Sequence, residues 1–229
     1  MAAPHPLDRP VWSALAGRQA PLALRRGRAV RFDPAFALFA ATQDLSPESL
    51  SDLVALVAAH GDVALVEAEE PPPVPGAAVA ARGVLAQMVA ERPVAEGPAG
   101  DFAIVPLAEA DAPQMLALAL LTQPGPFFAR THQLGDFVGV KVEGRLAAMA
   151  GERMRPDGFT EVSGVCTHPD HRGRGYAAAL TRQVTAAIQA RGETAYLHVY
   201  AHNATAIRLY EQLGFSIRRE MRMTSLTAA

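Results

Sequence analysis

A short segment rich in histidine, arginine and glycine contains the residue types and spacing that most clearly predict chemistry. Residues 168–177 are His-Pro-Asp-His-Arg-Gly-Arg-Gly-Tyr-Ala, and they lie between a strand pattern and a helix pattern. Their amides are therefore the unpaired N–H donors of a helix N-terminus, where the helix dipole also favours phosphate oxygens. Gly173 and Gly175 lack the side chains that would keep a diphosphate away from the backbone. We therefore predict a phosphate site at this turn, supported by the charge of two arginines.

Other glycine-rich phosphate motifs fit this segment poorly. The Walker pattern needs a lysine that the segment lacks, and the dinucleotide pattern needs a third glycine where Ala178 stands. Taken alone, the turn is also compatible with a plain strand-to-helix connection, or with an unrelated phosphate-binding α/β protein.

A second motif downstream narrows these alternatives. In combination with the turn, it resembles the signature of the GNAT acetyltransferase superfamily, whose turn is [Q/R]-x-x-G-x-[G/A]. The resemblance covers about residues 102–226 and leaves residues 1–95 outside it. The matching residues are Arg172, Gly175 and Ala177 in the turn, followed by Asn203, Ala206, Leu209, Tyr210, Gly214 and Phe215.

The resemblance implies acetyl-CoA as a cosubstrate and no metal. It places the diphosphate on the turn and the pantetheine arm along the end of the preceding strand, where one N–H faces the thioester oxygen. The cofactor-binding residues that it implies are Val165, Cys166, Thr167, Arg172, Gly173, Arg174, Gly175, Tyr176, Ala177, Ala178 and Asn203.

Tyr210 is the candidate general acid. It follows Asn203 by seven residues, so the two side chains project from nearly one helix face, about 10 Å apart along the axis. A phenol with a reference pKa of about 10 is protonated at neutral pH and can donate to a thiolate. The resemblance implies this role for Tyr210 and a pantetheine contact for Asn203. The structural alternatives are an N-cap for Asn203 and an apolar stripe containing Tyr210.

Two residues are candidates for the general base. Glu161 lies eleven residues before Arg172, the spacing at which histone-acetylating relatives carry a catalytic glutamate. His198 lies at the fifth-strand position where ribosomal-protein-acetylating relatives carry their catalytic base. An imidazole can accept a proton near neutral pH with little change of its reference pKa. A solvated strand carboxylate, a hydrogen-bonded strand histidine and a proton relay through water stay open as alternatives.

Other reactive residue types have simpler explanations. Cys166 is expected to be a buried core residue rather than an acyl-enzyme nucleophile. His168 and His171 lack a third metal ligand nearby. The segment 124–132, with Phe127, Phe128 and Arg130, is the candidate acceptor pocket for a small carboxylate-bearing substrate; the alternative is packing against the N-terminal part.

The elements that must position these residues alternate clearly after residue 100. The pattern predicts a β-α-β-β-β-α-β-α-β order with a hairpin around Glu143-Gly144. The predicted strands cover 102–106, 136–142, 145–154, 159–167, 194–200 and 215–223. A helix capped by Asp111, a long helix ending before Gly192, and a helix over 203–213 lie between them.

The first part of the chain predicts a small α/β unit. Ser46-Pro47-Glu48 begins a helix that Gly61 ends, and a strand follows over 62–67. Residues 71–76 form a proline-rich loop, residues 84–89 are strand-like, and turn formers cluster over 96–100. We therefore expect an N-terminal α/β domain of unknown role at 1–97 and an acetyltransferase domain at 98–229.

The fold class is accordingly α/β (α+β): a GNAT acyl-CoA N-acyltransferase fold with a mixed central sheet flanked by helices. The expected function is acetyl transfer from acetyl-CoA to a primary amine of a small molecule, amino acid or peptide by direct attack. The alternative is a non-catalytic acyl-CoA-binding module with a partner-binding N-terminal domain. The acceptor's identity and the preferred acyl-chain length stay open.

Composition limits the partners and the location. The net charge of −2 gives no field for nucleic acid or an anionic membrane, and the one cysteine excludes an intrachain disulfide. The N-terminus has no signal-peptide pattern and no apolar run reaches membrane-helix length, so we expect a cytoplasmic protein. The oligomeric state stays open, with a homodimer among the options.

Overall fold

A mixed eight-stranded sheet is the main element of the computed structural model, which describes residues 5–95, 97 and 101–229. The strand order is β4-β11-β5-β10-β9-β8-β7-β6, and neighbours are antiparallel except β9 and β10, which are parallel. The strands of this sheet are β4 (Val63–Glu67), β5 (Ala77–Ala90), β6 (Val105–Leu107), β7 (Phe137–Val142), β8 (Arg145–Glu152), β9 (Phe159–Thr167), β10 (Thr194–Tyr200) and β11 (Ser216–Ala228).

A small antiparallel sheet and five α-helices complete the described part of the chain. The small sheet contains β1 (Ala23–Arg26), β2 (Ala29–Phe32) and β3 (Ala40–Thr42). The helices are α1 (Pro10–Ala16), α2 (Pro47–His60), α3 (Ala112–Thr122), α4 (Tyr176–Ala190) and α5 (Ala204–Gln212). The predicted α/β class, with a mixed sheet flanked by helices, is confirmed.

The predicted element order of the C-terminal part is confirmed, with shifted ends. The strand predicted from residue 102 begins only at Val105, since Phe102 instead packs its ring on Tyr176 at 4.7 Å between centroids. The last strand continues to Ala228, because it pairs along its length with β5 and then with β4. Asp111 precedes α3, yet its carboxylate bonds the Ala108 amide and Lys141 rather than a helix amide.

The helix predicted after Ser46 is confirmed in detail. The Ser46 hydroxyl accepts the Ser49 N–H at 3.3 Å, and α2 ends at Gly61, whose φ of 81° suits a residue without Cβ. Leu53, Leu56 and Val57 are buried from this helix, and β4 follows it. The proline-rich segment 71–76 contains no helix or strand, as predicted.

Strands from both sides of the predicted domain boundary share one sheet. β5 precedes that boundary, and it lies between β10 and β11 with antiparallel pairing to both. Gly97 apart, the predicted linker 96–100 lies outside the described residues, so the boundary itself stays a prediction. The sequence did not indicate that a strand of the first part completes the sheet of the second.

The two faces of the sheet bury different cores. Helices α4 and α5 cover one face, where Val162, Leu180 and Leu197 belong to one apolar cluster. The segment containing α1 covers the opposite face, with Val11, Leu15 and Tyr196 in another. Because side chains alternate along a strand, neighbouring residues of β9 and β10 belong to opposite faces.

Candidate active site

A cleft opens in the middle of the sheet, between β9 and β10. The two strands pair only at three positions, from Phe159 opposite Thr194 to Glu161 opposite Tyr196. Beyond that point β9 extends to Thr167 and β10 to Tyr200, and the two strands no longer pair with each other. The unpaired backbone edges of the two strands therefore face each other across a wedge that can admit an extended chain.

Strand β9 is irregular along this wedge. Its pairing with β8 shifts register between Met149 and Gly151, and Gly164 has a φ of 64°. An extra residue in one strand bends it and re-aims its neighbours, as in a β-bulge. Gly164 suits this position because the left-handed region is costly for residues with a Cβ.

The three predicted pantetheine residues lie along the wedge. Val165 is half-buried against the α4–α5 core, and Cys166 is buried between α3 and β8. The Thr167 hydroxyl is buried and has no hydrogen-bond partner among the described residues, so a donor or acceptor from a bound chain would satisfy it. Burial raises the pKa of the Cys166 thiol to about 11, so the thiol is protonated and a poor nucleophile.

The predicted phosphate turn leads from the end of β9 into α4. Residues 172–175 are exposed, and Gly173 and Gly175 have φ of 75° and 78°. A Cβ built on either glycine meets no atom within 4 Å, so the space in front of the turn is open. Among the described residues, the Ala179 N–H donates to Gly175, whereas the amides of residues 173–178 donate to no carbonyl. The turn therefore presents a row of free amides at a helix N-terminus.

Tyr210 lies on α5, and Asn203 is the N-cap residue of that helix. The Asn203 side-chain oxygen caps α5 by accepting the Ala206 N–H at 3.1 Å, which leaves its amide group for another partner. The Tyr210 ring contacts Phe215 at 6.0 Å between centroids. Burial, with a contribution from Cys166, raises the pKa of Tyr210 to about 12. The phenol is therefore protonated at neutral pH.

Glu161 and His198 come together on the opposite face of the sheet. The His198 Nδ1 atom lies 2.9 Å from Glu161 Oε1, and Arg153 donates to both carboxylate oxygens at 2.9 Å. Both side chains are almost fully buried. Burial alone would raise the pKa of Glu161, but Arg153 and then His198 outweigh it and lower this pKa to about 2. The carboxylate is thus an internal ion-pair partner, and this geometry leaves neither of its oxygens free for an attacking amine.

Sequence reasoning missed two members of this cluster, Arg153 and Gln87. Arg153 follows Glu152 at the end of an apolar strand pattern, where charged residues are usually exposed, so no sequence signal marked it as a buried ion-pair partner. Gln87 lies directly opposite His198 in the pairing of β5 with β10. No spacing indicates that contact, because the two residues are 111 positions apart.

The predicted acceptor segment 124–132 contacts the N-terminal part of the chain. The Arg130 guanidinium lies 4.3 Å above the Phe36 ring, and the Thr131 hydroxyl donates to the Phe36 carbonyl at 2.6 Å. Phe127 is buried edge-on against Phe137. Arg130 and Thr131 thus contact the N-terminal part, as the packing alternative expects, whereas Phe127 packs among residues of α3, β7, β8 and β9. The acceptor role of this segment stays a prediction.

The two histidines of the turn lie close together without forming a metal site. The His168 and His171 rings are 5.7 Å apart between centroids. In the part of the chain that the structure describes, no group of three or more His, Cys, Asp or Glu residues could hold a metal ion.

Comparison with known proteins places these features in a family context. A family model described as FR47-like protein matches residues 137–223. Comparison with curated proteins finds no match. A crystal structure from Novosphingobium aromaticivorans DSM 12444, described as an acetyltransferase from the GNAT family, is 50% identical; the alignment covers 99% of this chain and 100% of that one, with a TM-score of 0.91.

More distant structures share the fold. A GCN5-related N-acetyltransferase from Kribbella flavida is 22% identical, with 95% of each chain covered and a TM-score of 0.63. A GCN5-related N-acetyltransferase-like protein from Streptococcus suis 89/1591 is 15% identical, with 95% of this chain and 92% of that chain covered and a TM-score of 0.62.

Among the described residues, no helix combines the length and apolar character needed to span a membrane. The predicted cytoplasmic location and the oligomeric state stay predictions.

Proposed function

We propose that this chain, which belongs to the GNAT family of acetyltransferases and is therefore an acyltransferase, transfers acetyl from acetyl-CoA to a primary amine. The proposed acceptor is a small molecule, an amino acid or a peptide. The observation that carries the proposal is the parting of β9 and β10 beside a turn of free amides. A wedge and a phosphate turn in this order suit a thiol cofactor with a long arm and a diphosphate.

Three features support binding of the diphosphate at residues 172–178. Free amides and the positive end of the α4 dipole attract phosphate oxygens. The open space in front of Gly173 and Gly175 lets those oxygens approach the backbone closely. Arg172 and Arg174, both exposed, add charge that is weakened by solvent but steers an anion toward the turn.

The pantetheine arm would extend from the turn into the wedge, along Val165, Cys166 and Thr167. An extended arm with two amide groups can hydrogen-bond a strand edge as a neighbouring strand does. The buried, unpartnered Thr167 hydroxyl and the free amide group of Asn203 are suitable polar partners. The thioester would then lie near the point where β9 and β10 part.

Tyr210 would assist departure of the thiolate. A phenol with a pKa of about 12 and a thiol with a pKa near 8.5 differ enough that complete proton transfer is uphill by about 5 kcal/mol. We therefore assign Tyr210 mainly as a hydrogen-bond donor to the sulfur while the C–S bond breaks. The bond between the amine nitrogen and the acetyl carbon forms in the same sequence, so an amide and a thiol result.

The amine must arrive neutral or lose a proton nearby. Glu161 and His198 already use their accepting atoms within the buried cluster, so neither suits a direct base role in this geometry. We propose that water carries the proton away from the amine. Reaction of a neutral amine balances without a further co-reactant, because the proton that the nitrogen loses is the one that the thiolate gains.

Calorimetry with acetyl-CoA and a thiol-release assay across a panel of amines test this proposal. We expect saturable binding of acetyl-CoA, no comparable binding of simple nucleotides, and thiol release with at least one amine class. Equal affinity for simple nucleotides would contradict the phosphate-and-arm reasoning. Binding without thiol release across amino acids, polyamines, aromatic amines and peptide N-termini would contradict turnover and favour a non-catalytic module.

A further inference from the structure

A continuous chain of buried polar contacts crosses the sheet where the wedge begins. Arg153 pairs with Glu161, Glu161 contacts His198, and His198 contacts Gln87. We call these four residues the buried array. The Gln87 oxygen in turn accepts a hydrogen bond from Arg218, which pairs with Asp8 at 2.6 Å. The array joins the end of β8, β9, β10 and β5, so it includes strands from both parts of the chain.

The amide orientation of Gln87 is determined by its neighbours. Its nitrogen lies 2.8 Å from the Leu7 carbonyl, which can only accept, and its oxygen lies 2.8 Å from the Arg218 guanidinium, which can only donate. Rotating the amide by half a turn would place oxygen against oxygen and donor against donor. The hydrogen-bond network therefore assigns both atoms of this fully buried side chain.

This orientation in turn determines the protonation of His198. The Gln87 nitrogen donates one hydrogen to Leu7 and has a second hydrogen for His198 Nε2, at 3.1 Å. The Nε2 atom must then be an acceptor without a hydrogen. The Nδ1 atom carries the proton and donates it to Glu161.

We propose that Gln87 is a positioning residue for acetyl transfer: it holds His198 as the neutral Nδ1–H tautomer and so orients Glu161 at the closed end of the wedge. The catalytic part of this inference rests on the proposed function, whereas the tautomer does not. Glu161 and Tyr196 are the last paired residues before the strands part, and His198 lies just beyond. The side-chain contact between His198 and Glu161 thus bridges the two strands at the place where their backbone pairing ends.

Among the residues that the structure describes, only Glu161 and Gln87 hydrogen-bond the His198 ring. Glu161 and Gln87 face its two ring nitrogens, and Tyr196 lies edge-on at 5.6 Å between ring centroids. Arg153 already binds both oxygens of Glu161. Arg218 and Asp8 lie beyond Gln87, on the other side of its amide.

The test is nitrogen NMR of imidazole-labelled protein, with the His198 signals identified by their loss in His198→Gln. In the unaltered protein we expect a protonated Nδ1 and a bare Nε2. A protonated Nε2, in either a neutral or a charged ring, would overturn the proposal. This measurement needs no variant at position 87 and no knowledge of the acceptor.

Two substitutions then change the array in opposite ways. Gln87→Glu supplies an acceptor to Nε2, so Nε2 should also carry a hydrogen and donate it to the new carboxylate. Gln87→Met keeps the side-chain length but removes the amide, so the Nδ1–H tautomer should no longer dominate. In the thiol-release assay, we expect Gln87→Met to lower kcat roughly 10- to 100-fold with KM for acetyl-CoA within about twofold, because a small displacement at the wedge affects chemistry more than diphosphate binding.

Gln189→Met is the matched control. Gln189, on α4, is a half-buried glutamine whose amide donates to the Ala90 and Arg92 carbonyls and accepts the Val94 N–H, and it contacts no member of the buried array. Its replacement should cost stability as Gln87→Met does, yet leave the His198 tautomer and kcat unchanged. Equal losses of kcat in both variants, or an unchanged tautomer in Gln87→Met, would overturn the positioning role. Failure of the unaltered protein to acetylate any amine would instead contradict the proposed function and leave the tautomer result standing.

Discussion

Replacing Tyr210 by phenylalanine removes one hydroxyl and leaves the ring. That ring packs on Phe215, and no described residue hydrogen-bonds the hydroxyl. The free energy of unfolding of the variant should therefore lie within about 0.5 kcal/mol of that of the unaltered protein. A hydrogen bond to a charged group is worth about 1.5–3 kcal/mol. If the hydroxyl supports the departing thiolate, its loss should lower kcat by roughly 10- to 150-fold.

The assay for Tyr210→Phe is steady-state thiol release, combined with calorimetry of CoA binding. We expect kcat to fall while the affinity for CoA stays within about twofold, because the diphosphate turn lies on α4 and is untouched. Tyr200→Phe, at an exposed tyrosine near the end of β10, is the matched control and should not change kcat. Since burial raises the pKa of Tyr210 to about 12, this phenol is protonated at any lower pH, and kcat should not fall between pH 7 and 10 through its ionisation. An unchanged kcat in Tyr210→Phe, or an equal loss in both variants, would refute the assignment.

Three further perturbations test the turn, the buried ion pair and the sheet. Gly175→Glu places a negative charge beside the diphosphate, and the repulsion between the two charges is about 4 kcal/mol at 4 Å. Calorimetry should therefore find CoA affinity reduced more than 100-fold, and full affinity would exclude this turn as the site. Glu161→Gln leaves the buried Arg153 unpaired and should cost about 3–5 kcal/mol in urea unfolding at pH 7. Because the Glu161 pKa is lowered to about 2, the stabilisation by this carboxylate is complete above the ordinary pKa of 4.5 and is lost as pH falls toward 2. The free energies of unfolding of the two proteins should therefore converge between pH 4.5 and 2. A constant difference over this range would contradict the ion pair. A fragment of residues 98–229 lacks β5 and should show no cooperative unfolding by circular dichroism, and a cooperative transition would mean that β10 and β11 can pair without it.

Local patterns in the sequence predicted most elements of the fold. Ser46, Gly61 and the apolar period between them determine α2, and the hairpin around Glu143-Gly144 follows from a turn pair flanked by strand patterns. Gly175 is the N-cap of α4, as expected for a turn that exposes its amides. These features depend on neighbours within a few residues, which is why the sequence alone indicates them.

The strand neighbours and the buried array could not be predicted in this way. The strand-like apolar run over residues 84–89 indicates burial, yet it says nothing about whether β10 or β11 lies alongside. The spacing of Glu161 from the turn suggested a base, while its burial depends on Arg153 and on packing by the N-terminal part. The long-range partners of a side chain decide whether a carboxylate is reactive, and those partners are not encoded by spacing.

The position of β5 places a strand of the first part of the chain beside the proposed active site. β5 supplies the strand between β10 and β11, and Gln87 on that strand contacts His198 beside the wedge. Removing β5 would expose one edge of β10, the strand that forms one side of the wedge, and would leave the Nε2 atom of His198 without its donor. The width of the wedge and the protonation of its closed end therefore both depend on residues that lie outside the family motifs. A variant that weakens the contact of β5 with β10 should impair acetyl transfer even though every motif residue is retained.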